Sequence, residues 1–578
     1  MVKPKTDRMH VVTIHSRQGG REYTSTLLRN SYREDGKVKK QTLANLSHLP
    51  EPLVELIRGF LRGERYLAAG EAFRITRSLP HGHVAAVLGT ARSLGLPGLL
   101  DRQPSRERDL ALALVVARLL KPVSKLATVS LVATTTLGAC LGVEGADENE
   151  LYGAMDWLLA RQPRVEAALA RRHLAPGALV LYDLSSTYVE GTHCELARFG
   201  YSRDHRPDRP QVEFGLLTDA AGCPVAVEAF PGNTADPATV EAQVGKLRDR
   251  FGLTDIVLVG DRGMLTSARI ERLREAGGVG WVSCLRAPAI RRLVDEGDLQ
   301  LSWFDERNLA EITSPDFPGE RLVVCRNPAL AAERARKRDE LLATTEAAFE
   351  RVAAMVSRGR LTTAAAIARR VGRVENTKRM AKHFVLDIGE RTFAYQRDDA
   401  AIRAEAALDG LYVVRTSVAA DRLASAAVVE TYKRLSSVER DFRALKGDDL
   451  AVRPIFHWKG DRVRAHLFIC FLAAYLRWHL EAAWAPLLFR DEEPPARVDP
   501  VTPRDRSASA LTKEGDKVTA DGLRAGSFAT LMTELATLTR NRVVPAGLDE
   551  AAAFELLAEP TALQARAFAL IGVTPGSV

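Results

Sequence analysis

The sequence predicts an α/β fold in which helices pack on a mixed β-sheet. Residues 176–290 alternate short apolar runs with helical periodicity, and helical patterns flank this segment on both sides. Two of the apolar runs end in an aspartate, Asp183 and Asp261, while Glu439 lies within a late helical stretch. Carboxylates at strand ends and on a helix packed across the same sheet can converge on one site.

The N-terminal elements differ in their periodicity. Residues 1–50 alternate apolar and polar residues in short pieces, separated by Gly-Gly and Asp-Gly turn signals, and we assign them to a small basic β unit. Helical periodicity takes over in residues 51–175, which we assign to a helical region.

The segment 176–290 can be assigned element by element. The predicted strands are 178–183, 212–218, 224–229, 255–260 and 280–285, and the predicted helices are 236–250 and 267–276. The order is βββαβαβ, and helix 427–446 closes the sheet. This order matches a ribonuclease-H-like core, in which the first strand, the fourth strand and the last helix carry metal ligands.

The rest of the chain is assigned around this core. An insertion domain with strand-like and helical pieces covers 291–425, and the last part of the core, with its helix, covers 426–490. Residues 491–525 are rich in Pro, Asp, Arg and Ser and predict an exposed linker, which a C-terminal helical region follows at 526–578.

Composition limits the classes of protein. The 578 residues are 46% hydrophobic, which is ordinary for a globular chain, and 81 basic against 73 acidic residues leave a net charge of +8. The positive balance favours a polyanionic partner. Six scattered cysteines argue against disulfides or a zinc ribbon, and we expect a cytoplasmic, nucleoid-associated protein with no membrane contact.

The three acidic residues predict metal-dependent phosphoryl transfer on nucleic acid. Two divalent cations about 3.5 to 4 Å apart need hard carboxylate ligands that converge from several elements. Around Glu439, apolar residues at helical spacing form one face of the predicted helix: Val428, Leu435, Val438, Phe442 and Leu445. Tyr432 and Lys446 stand seven residues before and after Glu439, and each could hold a phosphate.

Other polar residues allow two interpretations. His193, Glu195, Asp204 and His205 follow the first core strand and either approach the site or face solvent. His466 and Cys470 have zinc-compatible spacing without a second pair, and we assign them to the core. Basic residues of the insertion either contact DNA or form a solvated face: Arg334, Arg336, Lys337, Arg338, Arg351, Arg358, Arg360, Arg369, Arg370 and Arg373.

Four segments resemble a known family: 182–188, 259–264, 432–446 and 453–458. Together they are similar to the DDE transposases of bacterial insertion sequences, in the branch with a Tyr-Arg-Glu-Lys signature and a β-rich insertion. The signature's arginine position holds Leu435, and Met264 stands where an aromatic residue is common.

The resemblance implies a set of site residues. Asp183, Asp261 and Glu439 would be the catalytic ligands of two Mg²⁺ ions, for which Mn²⁺ can substitute. DNA contacts would come from the helical region 51–175 and from residues near the site: Tyr432, Lys433, Arg434, Arg443, Lys446 and Arg262.

The resemblance also implies a reaction and partners. The expected activity is cleavage at the ends of an insertion sequence, followed by transfer of the 3′-hydroxyl end into target DNA, with a hairpin as one route. A homodimer would pair the terminal inverted repeats, and Trp281, Trp303 or Phe304 would stack a flipped base. The alternatives are a ribonuclease-H-like nuclease without strand transfer and a non-catalytic DNA-binding derivative of a transposase.

Overall fold

A computed structural model describes residues 9–34, 37–64, 66, 71–304, 307–447, 449–497 and 499–578. Contacts within the chain divide it into two units. The first comprises Met1–Ser78 with Arg540–Leu556, and the second comprises Leu79–Thr539 with Leu557–Val578. All three acidic residues of the predicted site belong to the second unit.

The first unit starts with an antiparallel β-meander, as the alternating pattern predicts. Its strands are β1 (Met9–Gln18), β2 (Arg21–Glu34) and β3 (Lys37–Asn45), in the order β1-β2-β3. Helix α1 (Glu51–Leu61) follows, and then strand β4 (Phe73–Pro80). The purely helical assignment of 51–175 is therefore wrong at β4. Its sequence Phe-Arg-Ile-Thr-Arg-Ser-Leu carries an alternating pattern that indicated a strand.

Helices dominate the start of the second unit, which confirms the helical periodicity of this stretch. They are α2 (Gly82–Ser93), α3 (Leu96–Leu100), α4 (Arg106–Leu120), α5 (Lys125–Thr134), α6 (Leu137–Leu141), α7 (Glu148–Leu159) and α8 (Gln162–His173). The side chains of Ser105, Ser124 and Asp147 accept backbone N–H groups at the starts of α4, α5 and α7. Their buried faces share one hydrophobic core with the sheet described next.

The core segment has the predicted order βββαβαβ. Its elements are β5 (Ala178–Tyr188), β6 (Gln211–Thr218), β7 (Pro224–Pro231), α9 (Asp236–Gly245), β8 (Ile256–Val259), α10 (Ser267–Ala276) and β9 (Val279–Cys284). The strands lie in the order β7-β6-β5-β8-β9, in which β5 pairs with β8 and β8 with β9 in parallel. The first three strands form an antiparallel meander.

Strand β5 runs beyond Asp183, and the prediction that this residue ends the strand is wrong. The polar half of β5 up to Tyr188 pairs with β6, although its apolar run stops at Tyr182. Pairing with β8 ends at Leu181 opposite Val259, two residues before Asp183 and Asp261 respectively. Both aspartates therefore lie at the carboxyl edge of the parallel strand pair, where a site is expected.

The predicted insertion divides into two parts. Its elements are α11 (Ala287–Asp295), β10 (Leu309–Ile312), β11 (Arg321–Arg326), α12 (Pro328–Ser357), α13 (Ala364–Lys378), β12 (Phe384–Gly389), β13 (Thr392–Arg397), α14 (Asp399–Ala406) and β14 (Leu411–Thr416). Strands β14, β11 and β10 extend the core sheet beyond β9, all antiparallel. The β12–β13 hairpin and helices α12 and α13 have a small core of their own, in which Phe349 contacts Phe384 and Phe393.

The predicted helix 427–446 is broken into α15 (Ser425–Lys433) and α16 (Leu435–Lys446). The hydroxyl of Ser436 donates to the carbonyl of Lys433 at 2.8 Å, and that of Ser437 donates to the carbonyl of Arg434 at 2.6 Å. Serine hydroxyls that bond to preceding carbonyls compete with helical N–H groups and favour a bend. Tyr432 and Glu439 therefore lie on different helices, and the prediction that one helix carries both is wrong.

The C-terminal part is more structured than predicted. It contains α17 (Gly460–Ala483), α18 (Ala508–Asp516), α19 (Phe528–Ala536), β15 (Thr539–Pro545), β16 (Phe554–Leu557) and α20 (Ala562–Ile571). The prediction of an exposed linker at 491–525 is wrong, because Val501 and Ala510 are buried and α18 lies within it. The last region is only partly helical, because β15 lies between β16 and β4 in a sheet. In the described parts of the chain, every helix is too short or too polar to cross a bilayer.

Candidate active site

Asp183, Asp261 and Glu439 line one cavity of about 870 Å³, here called the carboxylate cavity. They come from three elements that are far apart in sequence: the middle of β5, the turn after β8, and the second turn of α16. The structure therefore brings the three predicted residues together.

Backbone groups hold the two aspartates. The N–H of Leu184 donates to Oδ1 of Asp183 at 2.8 Å. Oδ1 of Asp261 accepts the N–H groups of Gly263 and Met264, each at 2.8 Å. A Cβ atom at Gly263 would lie 3.2 Å from Oδ1 of Asp261, so the turn is tight around this carboxylate. Both side chains are thus oriented by the local chain, and Oδ2 of each remains available to a ligand.

Helix α16 presents Glu439 through its apolar face. Val438, Phe442 and Leu445 are buried, and the ring of Phe442 meets Phe214 of β6 edge to face at 5.4 Å. Glu439 itself is exposed. The apolar face predicted for this helix is confirmed. Its packing on the sheet determines the position of Glu439 relative to the two aspartates.

The electrostatics of the cavity favour a cation. The pKa of Asp183 rises from 3.8 to about 7, mainly through burial and further through the negative charges of Asp261 and Glu439. The Leu184 N–H and the charge of Arg203 oppose this rise. A divalent cation would neutralise this crowded negative charge, so the donor set fits hard metal ions.

A separate group of possible metal ligands lies outside the carboxylate cavity. In the described part of the chain, ligand atoms of His173, Cys223 and His479 all lie within 4.8 Å of one another.

The loop between β5 and β6 contains Asp204 and His205, for which the sequence allowed two interpretations. The buried carboxylate of Asp204 accepts Nζ of Lys446 at 2.5 Å and a guanidinium nitrogen of Arg453 at 2.6 Å. Arg203 donates to Glu213 at 2.5 Å and to both oxygens of Asp236 at 2.8 Å. Asp204 and His205 both line the carboxylate cavity. The side chain of Asp204 is 1% exposed, so the solvent-facing interpretation is wrong for this residue, whereas His205 is exposed.

The six residues that the sequence analysis expects to contact DNA lie at different sites in the structure. Arg443 and Lys446 line the carboxylate cavity. Arg262 lines a neighbouring cavity of about 840 Å³ whose wall includes Arg291, Arg334 and other basic residues. The sequence feature that indicated this second basic cavity was the excess of arginine in the insertion.

The other three lie outside the carboxylate cavity. Tyr432 is half-buried, and burial raises the pKa of its hydroxyl, with Cys284 and Asp261 adding to the rise. Nζ of Lys433 donates to the carbonyls of Pro500 and Val501 at 2.6 and 2.5 Å. Arg434 is exposed at the bend between α15 and α16. Leu435, at the position of the family's arginine, is buried and has no charged group to offer a phosphate.

The basic side chains of helix α12 in the insertion are less available to DNA than the sequence indicates. Arg338 is nearly buried and forms a two-pronged ion pair with Asp409. Arg336 and Lys337 pair with glutamates one turn away on the same helix. Arg334 and Lys337 line the cavity that contains Arg262, and Arg291 of α11 and Lys382 also line it, so its basic residues come from several elements.

The aromatic residues expected to stack a base are mostly unsuited to it. Trp281 and Phe304 are 3% and 5% exposed, and Trp281 donates its indole N–H to Glu320. Trp303 packs partly buried against the core of β10, β11 and β14. Tyr201 instead is 76% exposed and lines the carboxylate cavity.

The pair His466 and Cys470, which lies outside the site, has internal partners. Nε2 of His466 is 3.1 Å from the carbonyl of Val452 and 3.9 Å from Sγ of Cys470, and both residues are buried. The assignment of this pair to the core agrees with these contacts.

Family comparisons agree with the geometry. The model of the family described as "Transposase DDE domain" matches residues 179–476, more than half of the chain. The model described as "IS1634 family transposase, N-terminal domain" matches residues 11–71. No curated protein matches the chain. The matched region contains the whole carboxylate cavity, and the family's members bind DNA and use divalent metal ions for polynucleotidyl transfer and endonucleolytic cleavage. The chain therefore belongs to the DDE transposases of bacterial insertion sequences.

Proposed function

We propose that this transposase cuts DNA at the ends of its insertion sequence and joins the freed 3′-hydroxyl ends to target DNA. The observation that carries the proposal is the convergence of Asp183, Asp261 and Glu439 on one cavity. In this proposal the three carboxylates hold two Mg²⁺ ions, which Mn²⁺ can replace. A bound pair of divalent cations supplies activation of the attacking oxygen and stabilisation of the leaving oxygen.

The chain's own residues prepare the site for this reaction. Backbone N–H groups hold Oδ1 of both aspartates, so that Oδ2 can face a cation without reorganisation. Arg443 and Arg453 line the same cavity and would neutralise phosphate charge beside the scissile bond. The protein groups in this proposal position and stabilise, and they form no covalent bond to DNA.

The second basic cavity supports a path for DNA beyond the cleaved bond. Arg262, Arg291 and Lys382 line it together with residues of α12. In the proposal this surface contacts backbone phosphates of the terminal inverted repeat, while helices of residues 51–175 read its bases. Two ends have to be processed together, so the acting species is a homodimer.

A hairpin route needs an aromatic surface for a displaced base. Tyr201 supports this route, because it is exposed at the carboxylate cavity, and it replaces Trp281 and Phe304 as the candidate. A Tyr201→Ala variant that cuts one strand at normal rate but accumulates no hairpin would support the role of Tyr201.

A strand-transfer assay tests the main proposal. The substrate is a duplex made from the DNA that flanks the coding region, with a pre-cut 3′-hydroxyl end, incubated with supercoiled target plasmid and Mg²⁺ or Mn²⁺. Joined product that disappears with EDTA is expected. Cleavage without joining would favour a simple nuclease, and binding without either reaction would favour a non-catalytic derivative.

A further inference from the structure

A third cavity, next to the carboxylate cavity, has an unusual excess of positive charge. It measures about 260 Å³ and lies between the start of α5, helix α17 and the segment 451–457. Its lining residues include Arg118, Lys125, Arg453, His457 and His466, and none of the described residues that line it is acidic. It is called the Arg118–Lys125 pocket here.

Two of these cations are buried, and no described residue forms an ion pair with either of them. Arg118 and Lys125 are 7% and 6% exposed. Arg118 donates to Nδ1 of His466 at 3.3 Å, while Nε2 of that ring donates to the carbonyl of Val452 at 3.1 Å. An imidazole with these two hydrogen bonds is neutral, so it accepts from the guanidinium without balancing its charge. Lys125 has no hydrogen bond or ion pair with any described side chain.

The charges in the pocket disfavour one another. The pKa of Lys125 falls from 10.5 to about 7, first through burial and then through the charge of Arg118. The pKa of His457 falls to about 4 through burial and through Lys125, Arg462 and Arg118. Buried charges in folded proteins are normally paired, and an unpaired one is costly. An anion from outside the chain would remove this cost.

The shape of the pocket suits a phosphate group. Its volume exceeds that of one phosphate, and Ser124 and Lys125, which start helix α5, line it. The N-terminus of a helix attracts anions through its free N–H groups and its dipole. The helix start, the buried lysine and the buried arginine therefore face the same space.

The position of the pocket indicates the source of that phosphate. Arg453 lines both this pocket and the carboxylate cavity, so the two spaces are neighbours. Phe456, which is 65% exposed, also lines the pocket and leaves it reachable by a large ligand. A DNA strand bound at the carboxylates has further phosphates on either side of the scissile bond.

We propose that the Arg118–Lys125 pocket binds a backbone phosphate of the DNA whose scissile bond lies in the carboxylate cavity. The identification of the anion as a DNA phosphate rests on the proposed function. The existence of an anion site in this pocket does not depend on that function. The pocket would hold the strand at a fixed distance from the cleaved bond and so set which bond reaches the carboxylates.

Thermal unfolding of the full-length protein tests the anion site. Replacing chloride by inorganic phosphate at equal ionic strength should raise the Tm of the wild type by several degrees. Lys125→Met should abolish this rise, and its Tm in chloride should equal or exceed that of the wild type, because a buried unpaired charge is gone. Lys125→Arg should restore the response to phosphate. Lys121→Met, which removes an exposed lysine four residues earlier, should behave as the wild type.

A DNA-binding assay in EDTA tests the source of the phosphate without any catalysis. Lys125→Met should weaken binding of duplex DNA from the flanks of the coding region about 3- to 10-fold. It should also lower the slope of log K against log salt by about one. A response to inorganic phosphate with unchanged DNA binding would overturn the DNA source and leave a small-anion site.

The outcomes separate this inference from the proposed function. Absence of any phosphate effect in the wild type, or a Tm of Lys125→Met in chloride well below that of the wild type, would overturn the anion site. Failure of strand transfer with normal phosphate and DNA responses would count against the proposed chemistry alone.

Discussion

Two groups of buried charge in the same unit differ in how they are balanced. Glu166 is fully buried, and its carboxylate accepts from Gln162 and from the N–H of Val227, with Arg250 at 3.3 Å and Lys246 at 3.5 Å. Burial raises the pKa of Glu166, and the two cations oppose that rise. In the carboxylate cavity, by contrast, the neighbours of Asp183 include two further acids.

The difference teaches how to separate structural charges from functional ones. Charges that find partners within the chain contribute to the fold, since their removal leaves other buried groups unpaired. Charges of one sign that crowd a cavity have to be balanced by a ligand. The group Asp183, Asp261 and Glu439 and the two buried cations of the Arg118–Lys125 pocket belong to this second class, with opposite signs, although basic side chains also line the carboxylate cavity.

The largest effect is expected from removing a carboxylate of the cavity. Asp183→Asn, Asp261→Asn and Glu439→Gln should each lower metal-dependent cleavage on the order of 10³-fold or more, because a fixed group that stabilises the transition state is lost. DNA binding and Tm should stay near the wild-type values, or Tm should rise as repulsion falls. Glu275→Gln, an exposed glutamate on α10, is the control. Cleavage retained by any one of the three variants would remove that residue from the ligand set.

Glu166→Gln should produce the reverse pattern. We expect a loss of about 3 kcal/mol in the free energy of unfolding, because Lys246 and Arg250 lose a buried partner. Urea unfolding measures this loss. Cleavage per folded molecule at low temperature should be unchanged. A variant as stable as the wild type would show that Glu166 is neutral and would break the contrast between the two groups.

A smaller change tests how tightly Asp261 is held. Gly263→Ala places a Cβ 3.2 Å from Oδ1 of Asp261 and should displace that carboxylate by a few tenths of an ångström. Misplaced catalytic groups reduce rates steeply, and we expect roughly 10-fold slower cleavage with an unchanged Tm. Gly372→Ala, where a Cβ meets open space on α13, is the matched control. Equal rates for both variants would indicate that the turn adapts.

The smallest effect on DNA binding is expected from Asp204, whose carboxylate neutralises Lys446 and Arg453 in the carboxylate cavity. Asp204→Asn should release Lys446 and Arg453 from their shared carboxylate and strengthen DNA binding about 3-fold. Lys446→Ala should weaken binding and lower the salt slope by about one, as for one lost phosphate contact. Anisotropy titrations over a range of salt concentrations measure both. If Asp204→Asn weakens binding instead, Asp204 positions Lys446 for DNA.

Much of the site could be predicted because its signals are local. The apolar runs before Asp183 and Asp261 indicate the buried part of each strand, even though β5 continues beyond Asp183. The spacing of Val438, Phe442 and Leu445 indicates which face of the helix is buried and therefore which way Glu439 points. The partners of Lys433 and Lys446 could not be predicted in the same way. Their ammonium groups meet Val501 and Asp204, which lie 68 and 242 positions away in the chain.

The sequence by itself determined the order βββαβαβ, the two aspartates and the glutamate, and the apolar face of α16, because each depends on the periodicity of neighbouring residues. Tertiary structure alone decided that β10, β11 and β14 extend the core sheet, and that Asp204 lies buried between Lys446 and Arg453. It also decided that Arg118 and Lys125 share a pocket with no acid among its described lining residues. Strand pairing and charge balance depend on which residues that are distant in the sequence come into contact. No local sequence pattern specifies those contacts.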